Sequence, residues 1–392
     1  MSDSSRVQIS YLKQAEKGTV DEAAFTEIRH TGGTFGAPQE TARSDEIRGD
    51  AQRGATIRTG QNPEGAINME FSAQTFDDLL EGFLRSAWST DATGSIADAV
   101  ADNTGSAFTT TAGDFTDEDI TVGQWIFVSG FDTEGANGWF KVTSIAATTL
   151  GVTPAPIADL NAGGNSILFE GAYIRNGILD NYYAFQLEFL DLTNKLRLIS
   201  DARIDQFSLS SNARDKVTGS FNFTGAKYAL ATAKDGDGTV TPAPETGILN
   251  TTDHATGVFI DGVEYDGCIM SYGLSANFNS RRQNCVGQLQ STDVKLGSLD
   301  LSGNISVYLN DTAWANMLAK YEAFTKFSLA FAFTDDDGNG YVFELPQIVL
   351  TNEPGSLPGP DSDVMLDFDW AGEPGTVGAE NKTIQISRRK VA

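Results

Sequence analysis

Two stretches far apart in the chain can be laid over one another without a gap. Residues 65–80 (GAINMEFSAQTFDDLL) match residues 303–318 (GNISVYLNDTAWANML) at an offset of 303 − 65 = 238. In the first, Ile67, Met69 and Phe71 alternate with polar residues; in the second, Ile305, Val307 and Leu309 do the same. A period of two with one apolar face is the pattern of a half-buried strand. Ser72 and Asn310 then coincide, and both residue types cap helices. Beyond them Phe76, Leu79, Leu80 and Phe83 fall on Trp314, Met317, Leu318 and Tyr321. That spacing, i, i+3, i+4, i+7, predicts a short amphipathic helix. Each stretch reads as a strand, a cap and a helix.

Two further blocks match in the same order. Residues 217–225 (VTGSFNFTG) lie over 364–372 (VMLDFDWAG) at an offset of 364 − 217 = 147, and residues 185–189 (FQLEF) over 327–331 (FSLAF) at 327 − 185 = 142. Phe221 meets Phe368, Phe223 meets Trp370 and Gly225 meets Gly372. The chain reads as one fold written twice. Alternating runs also cover Tyr183 to Phe189, Leu299 to Leu309 and Phe327 to Phe333, so the expected fold class is mainly β, built from antiparallel strands.

The fall in offset locates an insertion. Its size is 238 − 142 = 96 residues, and it lies between the helix at Phe83 and the strand at Tyr183. From Asp91 to Glu170 there are eleven acidic residues and one basic residue, Lys141. Strand-like runs begin at Trp125, at Trp139 after an Asn-Gly turn, and at Thr148. A small β-module in a loop, where insertions are tolerated, is the expectation. Residues 234–252, rich in Gly, Pro and Thr, read as a linker. The expected division is 1–88 with 172–233 as a first domain, 89–171 as the insert, and 253–392 as a second domain.

Catalysis is poorly supplied. His30 and His254 are the only histidines of the chain, which disfavours a Ser/His/Asp triad or a His-rich zinc site. Asp335-Asp336-Asp337-Gly338-Asn339-Gly340 starts like a calcium loop. Its twelfth position is Pro346 where a bidentate Glu is needed, so a hairpin turn is expected. No enzyme, cofactor or metal site is expected. Cys268 and Cys285 form no CxxC pair and no disulfide framework. Lys and Arg number 27 against 53 Asp and Glu, a formal charge of −26. A sequence-reading nucleic-acid binder needs clustered cations and is disfavoured. The first 17 residues lack the apolar run of a signal peptide, so export by a signal of its own is not expected. No run approaches a membrane span. Trp88, Trp125 and Trp139 could form a sugar-binding face, although core packing is the commoner role. The alternative function is therefore a carbohydrate-binding or adhesion β-protein of a phage or bacterial surface.

One polar loop stands out. Arg43, Arg48, Arg53 and Arg58 are interspersed with Asp45, Glu46 and Asp50. These seven residues are either a solvated loop or a contact surface that pairs charges with a neighbouring subunit.

Taken in order, these features resemble a family. A short arm ends in the strand Phe25 to His30; the polar loop, the strand and helix of 65–84, Phe343-Glu-Leu-Pro346, the strand at 364–370 and Ile384 to Arg389 follow. The arrangement, over residues 8–390, is similar to the major tail tube proteins of long-tailed, non-contractile, siphovirus-type bacteriophages. Residues 114–156 resemble the small β-barrel modules such proteins carry outside the tube. The resemblance implies two β-sandwich tube domains, each with one flanking helix. It also implies self-assembly into stacked rings around a lumen through which DNA passes without specific binding. The implied partners are further copies of the chain, a tape measure protein, and tail terminator and distal tail proteins. The implied location is the virion tail, after synthesis in the bacterial cytoplasm. The seven polar-loop residues become candidates for the contact between rings. With two tube domains per chain, three chains complete a six-domain, pseudo-hexameric ring; if the second copy packs elsewhere, six chains are needed.

Overall fold

The computed structural model describes residues 3–352 and 359–391. It is mainly β, as expected. Strands β1 (Val7–Gln14), β2 (Phe25–Glu27) and β3 (Gly32–Gly36) precede a hairpin of β4 (Gln39–Arg43) and β5 (Thr56–Gln61). Then come β6 (Glu64–Glu70) and helix α1 (Asp77–Leu84). The insert carries β7 (Ala92–Ile96), β8 (Val100–Asp102), β9 (Ala107–Thr109), β10 (Trp125–Ser129), β11 (Gly138–Ala146) and β12 (Thr149–Thr153), and β13 (Ile167–Arg175) leads out of it. Strands β14 (Tyr182–Phe189), β15 (Leu196–Asn212), β16 (Thr218–Thr224) and β17 (Lys227–Ala231) complete the first half. A connector with β18 (Val240–Thr241) leads to β19 (Ala255–Ile260), β20 (Val263–Glu264), β21 (Ile269–Asn277), the pair β22 (Arg281–Gln283) and β23 (Asp293–Lys295), and β24 (Asp300–Tyr308). The second helix comprises α2 (Asp311–Ala313), a π-helical turn at Trp314–Leu318 and α3 (Ala319–Glu322). The chain ends with β25 (Phe327–Thr334), β26 (Gly340–Leu350), β27 (Met365–Glu373), β28 (Gly375–Val377), β29 (Glu380–Lys382) and β30 (Gln385–Arg389).

Each half packs two sheets face to face. In the first, one sheet runs β2–β1–β14–β15–β17 and the other β3–β6–β16–β15. The 17-residue β15 belongs to both, its N-terminal part pairing β14 and β17 and its C-terminal part β16. In the second half the sheets run β20–β19–β25–β26–β30 and β21–β24–β27–β26. The registers correspond. Phe221 faces Ile67 and Phe223 faces Gly65; Phe368 faces Ile305 and Trp370 faces Gly303. Both β14–β15 and β25–β26 carry a bulge, at Tyr183/Phe185 and at Phe327/Leu329. Matching the bulges gives an offset of 327 − 183 = 144, not the 142 read from sequence. A two-residue slip leaves every side chain on its own face, so alternation alone cannot detect it.

The paired glycines are covered by the aromatics opposite them. A Cβ on Gly65 would lie 2.2 Å from Phe223 Cζ, and one on Gly303 would lie 2.2 Å from the Trp370 ring and 2.1 Å from the Gly273 carbonyl oxygen. The helices start differently. Asn310 caps the second, its side chain accepting from the Ala313 N–H at 2.7 Å. Ser72 does not cap α1. Its hydroxyl meets that of Thr75 at 2.9 Å, Gln74 turns through φ 63°, and the helix opens only at Asp77.

The halves meet edge to edge. The C-terminal part of β15 pairs with β21 from Gln206↔Asn277 to Asn212↔Ser271, so the inner sheets form one continuous eight-stranded surface, β3–β6–β16–β15–β21–β24–β27–β26. One apolar core runs through both halves. Side chains reinforce the seam. Phe278 sets its ring edge-on to Phe83 at 5.4 Å. Tyr341 donates to Asp77 at 2.6 Å, and Arg388 pairs with Asp77 at 2.5 Å. Asp293 of the second half contacts Lys17 of the first at 3.2 Å, and Lys295 of the second half reaches Asp180 of the first at 3.9 Å. The connector also packs down. β18 pairs parallel with β2, and buried Leu249 bridges the backbones of Val217 and Phe71 at 2.9 Å each.

The insert has its own core, centred on Phe108, Phe115, Ile126, Phe140, Leu150 and Phe169. Its strands run β8–β9–β12–β11–β10–β13–β7, and no pairing joins β7 to β8, so the expected barrel-like module is not closed. β13 continues into the body, where Ala172–Arg175 pair with β30. The insert belongs to the first half in sequence, yet it docks on the second. Trp125 and Trp139 pack against Phe259, Ala330, Ala332 and Val342. At the centre, buried Glu344 pairs with Lys141 and accepts from Trp125 Nε1 at 3.0 Å and Gln385 Nε2 at 2.9 Å. Arg389 clamps Glu170 at 2.6 Å.

Three outcomes are expected. Glu344→Ala strands a lysine and two buried donors, so chemical denaturation should show a loss of about 3 kcal/mol. Gly65→Ala and Gly303→Ala each force an aromatic ring aside and should cost about 1–3 kcal/mol, Gly303→Ala more because backbone also stands in the way. Third, burial raises the pKa of Asp180 and Asp293, but their cationic partners outweigh it: Arg203, Lys295 and Arg85 hold Asp180 below the ordinary value, and Lys295 and Lys17 hold Asp293 below it. A depressed carboxylate contributes stability above the unfolded pKa of about 4 and loses it as pH falls through the folded value. Titration below about pH 4 should therefore destabilise the chain, and Asp293→Asn should flatten that limb.

Candidate functional site

Three surfaces of the body are unusual for a self-sufficient protein. The first is a pair of open sheet edges. Within the described residues β3 pairs only with β6, and β17 pairs only with β15, although the Gln290 side chain holds the N–H and carbonyl of Tyr228 on its outer edge. An unpaired edge is a row of free backbone donors and acceptors that invites another strand.

The second is the polar face of the eight-stranded surface. Alternation sends Ile67, Met69, Phe221, Phe223, Ile305, Val307, Phe368 and Trp370 into the core and their neighbours outward. Thr34, Asn68, Gln206, Ser208, Ser220, Asn222, Ser275 and Asn304 stand on the outer face, together with the carboxylates of Glu64, Glu70, Asp300, Asp367 and Asp369. Hydrogen bonds run along it: Asn222 donates to Gln206 at 2.7 Å, the hydroxyls of Ser208 and Ser220 meet at 2.8 Å, and Ser306 donates to Asp367. None of the eight strands contributes a Lys or Arg to this face. The acidic positions were readable in the sequence as the polar members of alternating strands. What was missing was the joining of the two halves into one surface.

The third is the hairpin arm β4–β5, paired from Gln39↔Gln61 to Arg43↔Thr56. All seven candidate residues, Arg43, Asp45, Glu46, Arg48, Asp50, Arg53 and Arg58, are on it and exposed. Arg48 and Asp50 pair with each other at 3.2 Å, an interaction that lowers the Asp50 pKa. Arg43 reaches only the Gly54 carbonyl, at 3.3 Å. Arg53, Arg58, Asp45 and Glu46 have no ion pair among the described residues. Ile47 at the tip is fully exposed. In the second half β22–β23 occupies the corresponding place between β21 and β24. That pair folds back onto the first half: Gln61 N–H donates to the Leu289 carbonyl at 3.0 Å, and Arg282 contacts Glu64 at 3.1 Å.

Other candidates resolve into packing. Trp125 and Trp139 are buried, and Trp88 lies under Arg388, whose guanidinium is 4.3 Å from its ring centre, so the three do not form a sugar platform. Residues 335–339 make a hairpin turn. There Asp335 accepts from the N–H groups of Asp337 at 3.0 Å and Asn339 at 2.8 Å. Among the described residues no group of three or more acidic, His or Cys side chains is placed to hold a metal. Both cysteines are free and exposed. Among the described residues no helix is long and apolar enough to cross a membrane.

The family described as "Phage tail tube protein" matches residues 4–372, a span that takes in the first half, the insert and most of the second half. A search of the curated proteins returned no match. A match across nearly the whole chain agrees with a fold that offers an open sheet edge and an extended polar face: this chain belongs to the phage tail tube protein family, structural components of the virion tail.

Proposed function

We propose that three chains close into a pseudo-sixfold ring, that rings stack into the tube of a siphovirus-type tail, and that the tube conducts DNA during ejection. The two halves are then two tube domains, and the β15–β21 seam is the pattern for the junction between chains. Each chain supplies eight inner strands, so three supply 3 × 8 = 24. At about 4.8 Å between strands and a tilt up to about 40°, the backbone wall is roughly 37–48 Å across, wide enough for a DNA duplex.

The observation that carries this reading is the polar face to which no strand contributes a Lys or Arg; the cations at its margin, Lys216 and Arg282, are paired with Glu70 and Glu64. A conduit for DNA must not hold it. Phosphates bind wherever Lys and Arg displace counterions, with an affinity that climbs steeply as salt falls. A wall of hydroxyls, amides and carboxylates, of which Asp300, Asp367 and Asp369 have no cationic partner among the described residues, gives phosphate little purchase, and it would line the lumen if this face turns inward. The arm β4–β5, with four arginines balanced by Glu40, Asp45, Glu46 and Asp50, suits a polar contact between stacked rings in an otherwise acidic protein. A tape measure protein inside the lumen and terminator and distal tail proteins at the ends are the partners this role requires. The chain would be made in the bacterial cytoplasm before assembly into the virion.

End-on averages of tubes grown from purified protein should show threefold symmetry with three peripheral knobs, one insert per chain; six identical knobs would sink the trimer. Wild-type tubes should not retain duplex DNA. Tubes of Asp367→Lys with Asp369→Lys should retain it, with binding that falls by orders of magnitude between low and moderate salt. Amide exchange across residues 39–61 should be fast in the monomer and slow in the tube. Equal protection in both states would remove the arm from the contact between rings.

A further inference from the structure

The two helices carry the same apolar pattern but are not equally covered. In α1, Leu79, Leu80, Phe83 and Leu84 are completely buried. At the matching place in the second half Trp314 is 59% exposed, Leu318 and Tyr321 are half-buried, and Phe324 just beyond is 67% exposed. An exposed Trp and Phe on one short helix call for a partner.

The partner can be read from what covers α1. Part of that cover comes from the second half of the same chain. The β25–β26 hairpin touches the turn that leads into the helix, with Gln74 Nε2 donating to Asn339 Oδ1 at 2.8 Å. Tyr341 on β26 and Arg388 on β30 hold Asp77. By register, β14–β15 is the counterpart of β25–β26. β17 is the counterpart of β30, since both pair with the N-terminal part of the long shared strand. The surfaces of the first half that correspond to this cover are therefore the β14–β15 turn and β17. Both show exposed leucine: Leu190 at 46%, Leu192 at 40% and Leu230 at 74% exposure.

Resting on the ring reading above, we infer that the Trp314–Phe324 face of one chain docks on Leu190, Leu192 and Leu230 of a second copy, repeating between chains the contact that α1 makes within one. The occupant is another molecule of this chain because the elements on the two sides correspond to those that meet within one chain, and both sides show exposed apolar side chains. Arg197, opposite Leu230 on β17, donates to the Phe35 carbonyl of β3 at 3.0 Å, which links this face to the open edge that the same repetition would pair.

The test uses the full chain. Trp314→Glu and Leu192→Glu should each leave the monomer's melting temperature and circular dichroism unchanged, since both side chains are exposed. Each should raise the concentration needed for tube growth by about tenfold or more, as expected for an aromatic or leucine anchor lost from an interface. In a background of Cys268→Ser and Cys285→Ser, Trp314→Cys with Leu192→Cys should be joined by a short bis-maleimide into covalent ladders that stop at three chains. If wild-type protein forms tubes while both charge variants assemble normally and no interchain product appears, this contact is wrong and the ring reading stands. Should wild-type protein form no rings at all, the ring reading itself fails.

Discussion

The pairing of β15 with β21 is the constraint on which the architecture depends. Seven residue pairs join the last inner strand of one half to the first inner strand of the other, and the two polar faces become one. Everything else follows from that junction. The core is continuous across it, Phe278 is driven against Phe83, and the long strand β15 must serve two sheets, which it does through its bulge at Ile204/Gln206. The same junction defines what the chain lacks. A sheet extended in one direction ends at β3, and an unpaired strand there is a hazard in a free monomer. Here β3 has five residues, three of them glycine, which makes it a short and poor template for indiscriminate pairing. The formal charge of −26 adds repulsion between monomers that only a well-fitted contact overcomes.

Much of this was legible because the two halves keep the same local rules. Ile67 and Ile305 lie opposite Phe221 and Phe368, and both glycines sit under aromatic rings, so the sequence blocks at offsets of 238 and 147 correspond to real strand registers. The third block was placed two residues out, because alternation has a period of two and a bulge carries no residue signature. Ser72 and Asn310 occupy matching positions, but only Asn310 caps, since the backbone at Gln74 turns before α1 can begin. The arm residues Arg43 to Arg58 could be placed in an exposed loop, whereas their pairing as a hairpin could not: β4 and β5 have no apolar face to alternate. The docking of the insert was invisible for a different reason. Lys141, alone among eleven acidic residues, reads as an incidental charge until Glu344, about two hundred residues away, is seen to be buried against it.

That ion pair bears on how the halves are held. The seam fixes them along the inner sheet. The insert fixes them again on the outside, because it leaves the first half and packs Trp125 and Trp139 on β19, β25 and β26 of the second. β13 runs between the two and hydrogen-bonds to β30 on the way. Two separated attachments resist hinging far better than one, since a rotation that preserves the inner pairing must break the outer contact. Within a chain, the angle between halves is therefore a property of the fold and needs no assembly to set it.

The junction between chains has no such second clamp. The second half carries no insert; between α3 and β25 there are only the residues 323–326, where the first half has its entire outer module. A pseudo-sixfold ring would thus contain two kinds of joint. Three are internal, pinned by strand pairing, by the Glu344 cluster and by Arg388 on Asp77. Three lie between chains and lack the equivalents of that cluster. Strand pairing alone is a weak discriminator, because backbone is common to all strands. The missing specificity has to come from side chains next to the open edge, and the exposed Trp314 and Phe324 are the large apolar groups the second helix presents there. The unequal burial of two otherwise matching helices then reflects that α1 is covered by the other half of its own chain, whereas the second helix has no such neighbour among the described residues of the chain.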